Sequence, residues 1–226
     1  MNRNKRLLTV TSGEFERETG LHICTNHTGK MKGMWSLSTS PLNPICEARS
    51  RDPESICSKC YSRNMQEMYS ELSKCLLKNA EILTGRILEP DEMPKLGNKL
   101  GMFRFEAFGD ATSELQIVNN FHITEANPDV HCALWTKNPE FIKRAMENYG
   151  ITKPENLVII GSSSKINVPQ MDYQKYDFID YIFTVYDKPF IAEHNIDINC
   201  GGRSCRSCKK CYLKTHTEYE IREQLK

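Results

Sequence analysis

The chain has 226 residues and a formal net charge of +1, from 30 Lys and Arg residues against 29 Asp and Glu residues. This length allows one sizeable domain with its own core, and the balanced charge excludes a protein built throughout to bind polyanions. No stretch approaches the ~20 apolar residues of a membrane span. We therefore expect a cytoplasmic protein without a membrane partner. Its thiols should stay reduced, because the cytoplasm is a reducing compartment.

The N-terminal part of the chain leads to a first strand and a first group of cysteines. Residues 1–33 are polar and turn-rich and are predicted to form an N-terminal extension. Residues 34–39 alternate apolar and small polar side chains, which predicts a strand. Two prolines then begin a loop that contains Cys46, Cys57 and Cys60 at C-x10-C-x2-C spacing.

Helical and strand patterns alternate in the next part of the chain. The predicted helices are 61–83, a helix capped by Thr112 or Ser113 that ends near Ala126, and 139–149; the predicted strands are 102–108, 130–136, 157–160 and 178–186. This order predicts an α/β fold, namely a partial (β/α) barrel of about five or six parallel strands over residues 34–199. A flat doubly wound sheet is the competing arrangement.

The C-terminal segment, residues 200–226, contains a second group of cysteines and is predicted to end in a short helix at 217–225. Cys200, Cys205, Cys208 and Cys211 follow C-x4-C-x2-C-x2-C spacing. Both cysteine groups end in Cys-x-Lys-Cys-Tyr, and together they contain seven of the ten cysteines. Because disulfides are disfavoured in a reducing compartment, this clustering in polar loops predicts metal binding.

The number of cysteines bears on which metal is bound. Zinc sites commonly use two C-x2-C pairs, here Cys57, Cys60, Cys208 and Cys211, but a single zinc site of that kind would leave three cysteines over. If the seven clustered cysteines are divided into a group of three and a group of four, every one of them is used as a ligand. The four C-terminal cysteines can close around one [4Fe–4S] cluster, and the first three would leave one iron of a second cluster open to a small molecule. Iron–sulfur is therefore favoured, with zinc as the alternative.

Polar residues follow the predicted strands, at the edge of a parallel sheet where reactive groups gather. These candidate site residues are Gly109, Asp110, Lys137, Ser162, Ser163, Ser164 and Asn167. Asp110 and Lys137 are the candidate catalytic residues. Asp110, with Gly109, the three serines and Asn167, is predicted to orient a bound small molecule, whereas Asn138 is predicted to cap a helix.

Two resemblances follow from these motifs. The three-cysteine loop, the segment FRFEAFGD, in which the second predicted strand ends in Gly109 and an acid, and the cysteine-rich tail resemble a radical S-adenosylmethionine (SAM) enzyme with an auxiliary cluster. The first gap between cysteines is longer than in that superfamily. The resemblance implies that a cluster held by the first three cysteines binds SAM, that Asp110 lies near its amino group, and that an electron donor is a partner.

A second resemblance extends along nearly the whole chain. The segments LSTSPLNPIC, CSKCY, RFEAFGD, LWTKNPE, GSSSKIN and CRSCKKCY are similar to the phage gene-product-88-like family. Proteins of that family are carried by phages and mobile elements, so the resemblance implies a location in the host cytoplasm. It implies no particular reaction.

A different class of function is also consistent with the C-terminal segment. A zinc-stabilised module without enzymatic activity could bind nucleic acid or a protein partner, with Tyr212 stacking on a base. The basic side chains that would meet phosphates are Arg203, Arg206, Lys209, Lys210 and Lys214. An iron–sulfur electron-transfer protein with the same ligands and no substrate is a third hypothesis.

Overall fold

Seven strands, most of them short runs of apolar residues, form one sheet within the described residues. The computed structural model describes residues 20–26, 29–97 and 99–225. The strands are β1 (Ile23–Thr25), β2 (Trp35–Leu37), β3 (Met102–Phe105), β4 (His131–Thr136), β5 (Leu157–Ser162), β6 (Tyr181–Tyr186) and β7 (Glu220–Gln224). They lie side by side in sequence order; β1 pairs antiparallel with β2, and every later pair is parallel.

Helices connect most of these strands. They are α1 (Pro44–Ser50), α2 (Tyr61–Met68), α3 (Ser70–Gly85), α4 (Glu114–Glu125), α5 (Pro139–Tyr149), α6 (Lys188–His194), α7 (Cys205–Cys208) and α8 (Lys210–Leu213), with short 3₁₀ helices at Ile56–Lys59, Pro90–Glu92 and Met171–Lys175. The α4 helix begins where the sequence predicts, because the Ser113 hydroxyl accepts a hydrogen bond from Gln116 N at 3.1 Å.

The structure confirms a mixed α/β fold with a mostly parallel sheet. Within the described residues, the edge strands β1 and β7 do not pair with each other, so the sheet is open. Its strand order never reverses, unlike that of a doubly wound sheet. The β1 strand comes from residues predicted to form an extension, so the sheet reaches beyond 34–199 on both sides.

Two predicted helices differ from the structure. The helix predicted at 61–83 is two helices, because Tyr69 between them adopts an extended backbone conformation. The short helix predicted at 217–225 is wrong. Those residues contain β7, in which Ile221 is fully buried and the backbone pairs in parallel with β6.

Different helices pack against the two faces of the sheet. On the face that we call outer, Phe105, Leu134 and Ile159 pack with Phe121 of α4 and Ile142 of α5. The opposite face, which we call inner, has a separate core. There Met102, Ala133, Ile160 and Ile221 pack with Tyr212 of α8. The cysteine-rich segment therefore covers the inner face and contributes to its core.

Among the described residues, no helix combines the length and the apolar composition that crossing a lipid bilayer requires.

The close approach of β5 to the Met171–Lys175 turn gives a test of this packing. A Cβ atom at Gly161 would lie 2.3 Å from Cδ2 of Tyr173, so Gly161→Ala forces the ring to move. We expect a loss of about 1–3 kcal/mol in the free energy of unfolding, measured with urea, because the outer core becomes overpacked. Gly85→Ala is the matched control. Its Cβ meets nothing within 4 Å, so a comparable loss there would contradict this explanation.

Candidate functional site

The first three cysteines lie on short helices that adjoin one another. Cys46 is in α1, whose N-cap Asn43 accepts a hydrogen bond from Cys46 N at 2.9 Å. Cys57 is in the 3₁₀ helix Ile56–Lys59, and Cys60 follows it as the N-cap of α2. The Cys60 backbone N–H donates to Cys57 O at 3.2 Å, and this hydrogen bond holds the two cysteines of the C-x2-C pair close together.

An arginine one turn after Cys46 anchors α1 to the sheet. Arg49 donates from Nη1 to Asp110 Oδ2 at 3.3 Å, and from Nη2 to Lys137 O at 3.0 Å and Asn138 Oδ1 at 2.6 Å. These acceptors lie just after β3 and β4. Asn138 is at the predicted cap position, but its side chain binds Arg49 and Ala111 O and makes no capping hydrogen bond.

The second half of the cysteine loop is anchored to the ends of β5 and β3. The Ser164 carbonyl accepts hydrogen bonds from Ile56 N at 2.9 Å and Ser55 Oγ at 3.1 Å. The Tyr61 hydroxyl donates to Ala107 O at 2.8 Å. The loop therefore lies across the C-terminal ends of β3, β4 and β5, and we call this region the rim. The three cysteines and the polar residues that follow the strands lie at the same end of the sheet, where these strands have their C-terminal ends.

Cys46 is half-buried at the rim. The pKa of its thiol is raised to about 11, mainly by burial and also by the nearby charges of Asp110 and Cys57, whereas Asn43 and Arg49 act in the opposite direction. The thiols of Cys46 and Cys57 are therefore close enough to influence each other electrostatically. Without a bound cation, Cys46 stays protonated at neutral pH.

The Asp110 carboxylate is buried, and each of its oxygens accepts hydrogen bonds. Its Oδ1 accepts from Thr136 Oγ1 at 2.7 Å and from Ala111 N at 2.8 Å, and its Oδ2 accepts from Lys137 N at 3.0 Å and from Arg49. Four donors match the acceptor capacity of a carboxylate. Lys137 contributes its backbone to this network, and among the described residues none pairs with its side-chain ammonium.

Gly109 is required by the geometry of the rim. Its φ is +73°, and a Cβ atom there would lie 2.5 Å from the carbonyl oxygen of Thr39. The residue therefore allows the chain after β3 to approach the chain after β2. This close approach explains the glycine without a bound ligand.

Glu106 is a second buried acid at the rim, and the sequence analysis missed it. It directly follows β3 with φ of 53°, and its carboxylate accepts from Thr39 Oγ1 at 2.8 Å, Thr39 N at 3.2 Å and Gln116 Nε2 at 2.7 Å. Burial raises its pKa to about 8, and the charge of Asp110 also raises it, while the Thr39 and Gln116 hydrogen bonds lower it. The position of Glu106 directly after a strand is the sequence feature that could have identified it.

The serine run and Asn167 mainly hold neighbouring segments together. Ser163 Oγ contacts Thr184 Oγ1 at 3.1 Å and accepts from Gln170 N, and Ser164 holds the cysteine loop. Asn167 has φ of 65° and exchanges two hydrogen bonds with Asp187. Ser162 is 5% exposed, and within the described residues its hydroxyl has no hydrogen-bond partner.

The four C-terminal cysteines surround a cavity on the inner face of the sheet. Cys200, Cys205, Cys208 and Cys211 all line this cavity, whose volume is about 330 Å³. Trp135 of β4 and Tyr212 of α8 form its apolar wall. Cys57 and Cys60 do not line it, so the two C-x2-C pairs do not share one site.

Backbone hydrogen bonds fix the ends of this cysteine segment. Cys200 N donates to Arg222 O of β7 at 3.0 Å, and Cys205 N donates to Lys30 O in the β1–β2 loop at 2.8 Å. The Lys30 ammonium lies 3.7 Å from Cys200 Sγ and 2.5 Å from Glu223 Oε1. The segment thus connects the two edges of the sheet.

Cys211 is the most buried of the four thiols. Burial raises its pKa to about 12, and the other three cysteines raise it while Arg104 lowers it. His216 Nε2 lies 3.3 Å from Cys211 Sγ, which the sequence analysis did not anticipate. Burial and Lys210 lower the pKa of His216, so its ring is neutral at pH 7 and can share a proton with this thiol.

The donor groups are not arranged for a single ion. Among the described residues, no three His, Cys, Asp or Glu side chains are grouped closely enough to hold one metal ion. The four C-terminal thiols surround the cavity instead of meeting at a point.

The remaining cysteines have other surroundings. Cys132 is fully buried in the outer core, as predicted, and burial raises its pKa to about 12. Cys24 lies in β1, and His27, which could join it in a metal site, is outside the described residues.

The basic residues of the C-terminal segment are partly available to a partner. Arg203, Arg206 and Lys209 are exposed, whereas Lys214 pairs with Asp180 at 3.3 Å. Tyr212 is 3% exposed and its ring lies 6.0 Å from that of Trp135. Tyr212 is therefore not positioned to stack on a nucleic-acid base.

Asp110→Asn tests whether the rim depends on this carboxylate. The amide keeps the shape but removes the charge and one acceptor, which leaves Arg49 without its ion pair. We expect the free energy of unfolding to fall by about 2–4 kcal/mol in urea titrations. Glu71→Gln, which removes an exposed ion pair with Lys74, is the control and should cause no measurable change. Equal effects of the two variants would contradict a special role for Asp110.

Glu106 predicts a pH dependence of stability. Its pKa in the folded protein is raised above the ordinary value of 4.5 to about 8, so its contribution is fully present below pH 4.5 and is lost as pH rises toward 8. We expect wild-type stability to fall by up to about 1.4 kcal/mol per pH unit more than that of Glu106→Gln. Urea titrations between pH 5 and 7.5 measure this difference, and parallel pH profiles would contradict it.

Comparison of this chain with protein-family models, with curated proteins and with solved structures gave no match.

Proposed function

We propose that the protein is an iron–sulfur protein whose C-terminal segment holds one cluster through Cys200, Cys205, Cys208 and Cys211. The supporting observation is that all four thiols surround one cavity of about 330 Å³ without converging on a single point. Each cysteine of a [4Fe–4S] cluster binds a different iron, so the sulfurs stand around the cluster and not around one atom.

Zinc fits this cavity less well. A tetrahedral zinc site with Zn–S bonds of about 2.3 Å brings its sulfurs within about 4 Å of one another. Because no three described donors are grouped closely enough for one ion, a larger inorganic group accounts better for the cavity that the four cysteines line. The cationic Arg104 near Cys205 and Cys211 would offset part of the negative charge of four thiolates.

The rim is the proposed second cluster site and the place where a substrate or SAM would bind. Cys46, Cys57 and Cys60 offer three ligands at the C-terminal ends of the strands. When bound there, a cluster with one iron free of protein ligands supplies an open coordination position and an electron. A radical-SAM-like enzyme is the specific form of this proposal, and a protein electron donor is the implied partner.

The rim residues divide into positioning groups and groups free to meet a ligand. Asp110 holds Arg49 and the ends of β3 and β4, so we assign it a positioning role. The Lys137 ammonium and the Ser162 hydroxyl have no partner within the described residues and remain able to bind an anionic small molecule. Lys137 is the residue to which the proposal assigns contact with the substrate or with the carboxylate of SAM.

A partial barrel is the proposed shape of the sheet. In a flat sheet, β2 and β7 would be about 24 Å apart, because neighbouring strands are about 4.8 Å apart. The Lys30 ammonium in the β1–β2 loop nevertheless lies 2.5 Å from Glu223 of β7. Rolling of the sheet toward its inner face explains this contact and encloses the cysteine segment.

Membership of the phage gene-product-88-like family, and with it a location in the host cytoplasm, also remains a proposal, supported by the segments quoted above. The alternative function is a zinc-stabilised protein that binds nucleic acid through exposed Arg203, Arg206 and Lys209. The burial of Tyr212 weakens that alternative, since it leaves the basic patch without an aromatic platform.

Anaerobic purification with iron and zinc analysis tests the proposal. We expect a brown protein with broad absorption near ~400 nm and two clusters per chain. Cys211→Ser and Cys60→Ser should each remove about half of the iron, because each affects one site. Cys132→Ala is the control: its thiol is fully buried but lies in the outer core, away from both cysteine groups, so the iron content should not change.

A colourless protein with bound zinc would contradict the proposal. Addition of SAM to the reduced protein then tests whether this iron–sulfur protein is a radical-SAM-like enzyme. We expect SAM to change the electron paramagnetic resonance (EPR) signal that Cys60→Ser removes, and an unchanged signal would favour an electron-transfer protein without SAM.

A further inference from the structure

Arg104 occupies an unusual place for a charged residue. It lies in β3, between two other parallel strands, and side chains alternate between the faces of a strand. Phe103 and Phe105 enter the outer core and Met102 the inner one, so Arg104 points into the inner face. Placing a guanidinium there costs free energy unless another group compensates its charge.

The immediate neighbours of Arg104 are not carboxylates. Its guanidinium carbon lies 4.0 Å from the centroid of the Trp135 ring, and its Nη1 lies 3.2 Å from Met31 Sδ. Its Nε is buried and has no hydrogen-bond partner among the residues that the structure describes. Across the described part of the chain, no Asp or Glu forms an ion pair with it. The aromatic ring stabilises the cation only partly.

The cysteine cavity lies on the other side of this aromatic wall. Trp135 lines the cavity and contacts Tyr212, and the positive charge of Arg104 acts on both Cys205 and Cys211. Lys30 is another cation close to a thiol of this cavity within the described residues, but Glu223 neutralises it. Arg104 is therefore a half-buried positive charge close to the cavity that no described carboxylate neutralises.

We propose that Arg104 raises the reduction potential of the C-terminal cluster by stabilising the negative charge that the cluster gains on reduction. This inference rests on the proposed function, since it requires iron and sulfur in the cavity. Reduction transfers one electron from an external one-electron donor to the cluster and breaks no bond to the protein. Net charge around a cluster is one of the factors that set its potential. Arg104 thus acts through its field and not by ligation.

An EPR-monitored redox titration of the full chain under anaerobic conditions tests this inference. The C-terminal cluster is identified as the signal that Cys211→Ser removes. In Arg104→Met, we expect its reduced-to-oxidised ratio at a fixed ambient potential to fall about tenfold, equivalent to a potential about 59 mV lower for one electron. The potential of the rim cluster should change much less, because that cluster is farther from Arg104.

Three further variants separate charge from packing. Arg104→Lys keeps the charge and should retain most of the wild-type potential. Met31→Glu places a carboxylate next to Arg104 and should lower the potential while the arginine is still present. Arg203→Met removes an exposed arginine that lines the same cavity, and solvent screening should keep its effect below threefold in the same ratio.

Each outcome bears on one of the two claims. Wild-type protein without iron would overturn the proposed function. Iron-loaded Arg104→Met with an unchanged potential would overturn the role of Arg104, as would a loss in Arg104→Lys equal to that in Arg104→Met. If Arg104→Met does not retain iron, Met31→Glu decides, and an unchanged potential in that variant would equally overturn the inference.

Discussion

The ion pair between Arg49 and Asp110 determines where the first cysteine lies. A carboxylate as buried as that of Asp110 is stable only when its charge and all its acceptor sites are satisfied. Arg49, Thr136 and two backbone amides meet this requirement, and they come from α1 and from the chain after β3 and β4. Because Cys46 is one helical turn before Arg49, the same ion pair fixes Cys46 over the ends of these strands.

The inner face shows a different relation between core and candidate ligands. The segment that contains the four cysteines also supplies Tyr212 to the core on this face and joins the β1–β2 loop to β7. Few other apolar groups cover this side of the sheet. Occupation of the cavity by an inorganic group would therefore stabilise the fold directly, as in other proteins whose metal sites do not form in the unfolded state.

Sequence patterns predicted the central strands and the two cysteine groups, because alternation and spacing are local properties. They did not predict the end of α2, since Tyr69 is neither Pro nor Gly and Gln66 bonds Ser73 across the break. They missed β7 because its sequence EIREQ is mostly charged, and only pairing with β6 makes it a strand. They missed Glu106 because its burial and its hydrogen bonds to Thr39 and Gln116 arise only in the folded structure.

The two candidate centres are linked by consecutive residues of one strand. Trp135 faces the inner cavity, whereas Thr136 turns to the other face and donates to Asp110, which holds Arg49 and the Cys46 helix. Two consecutive residues of β4 therefore connect the cavity that the four cysteines line with the rim. A cluster with four protein ligands has no position for a substrate, whereas one with three does. This connection supports the proposal that the inner centre exchanges electrons and that the rim centre binds the small molecule.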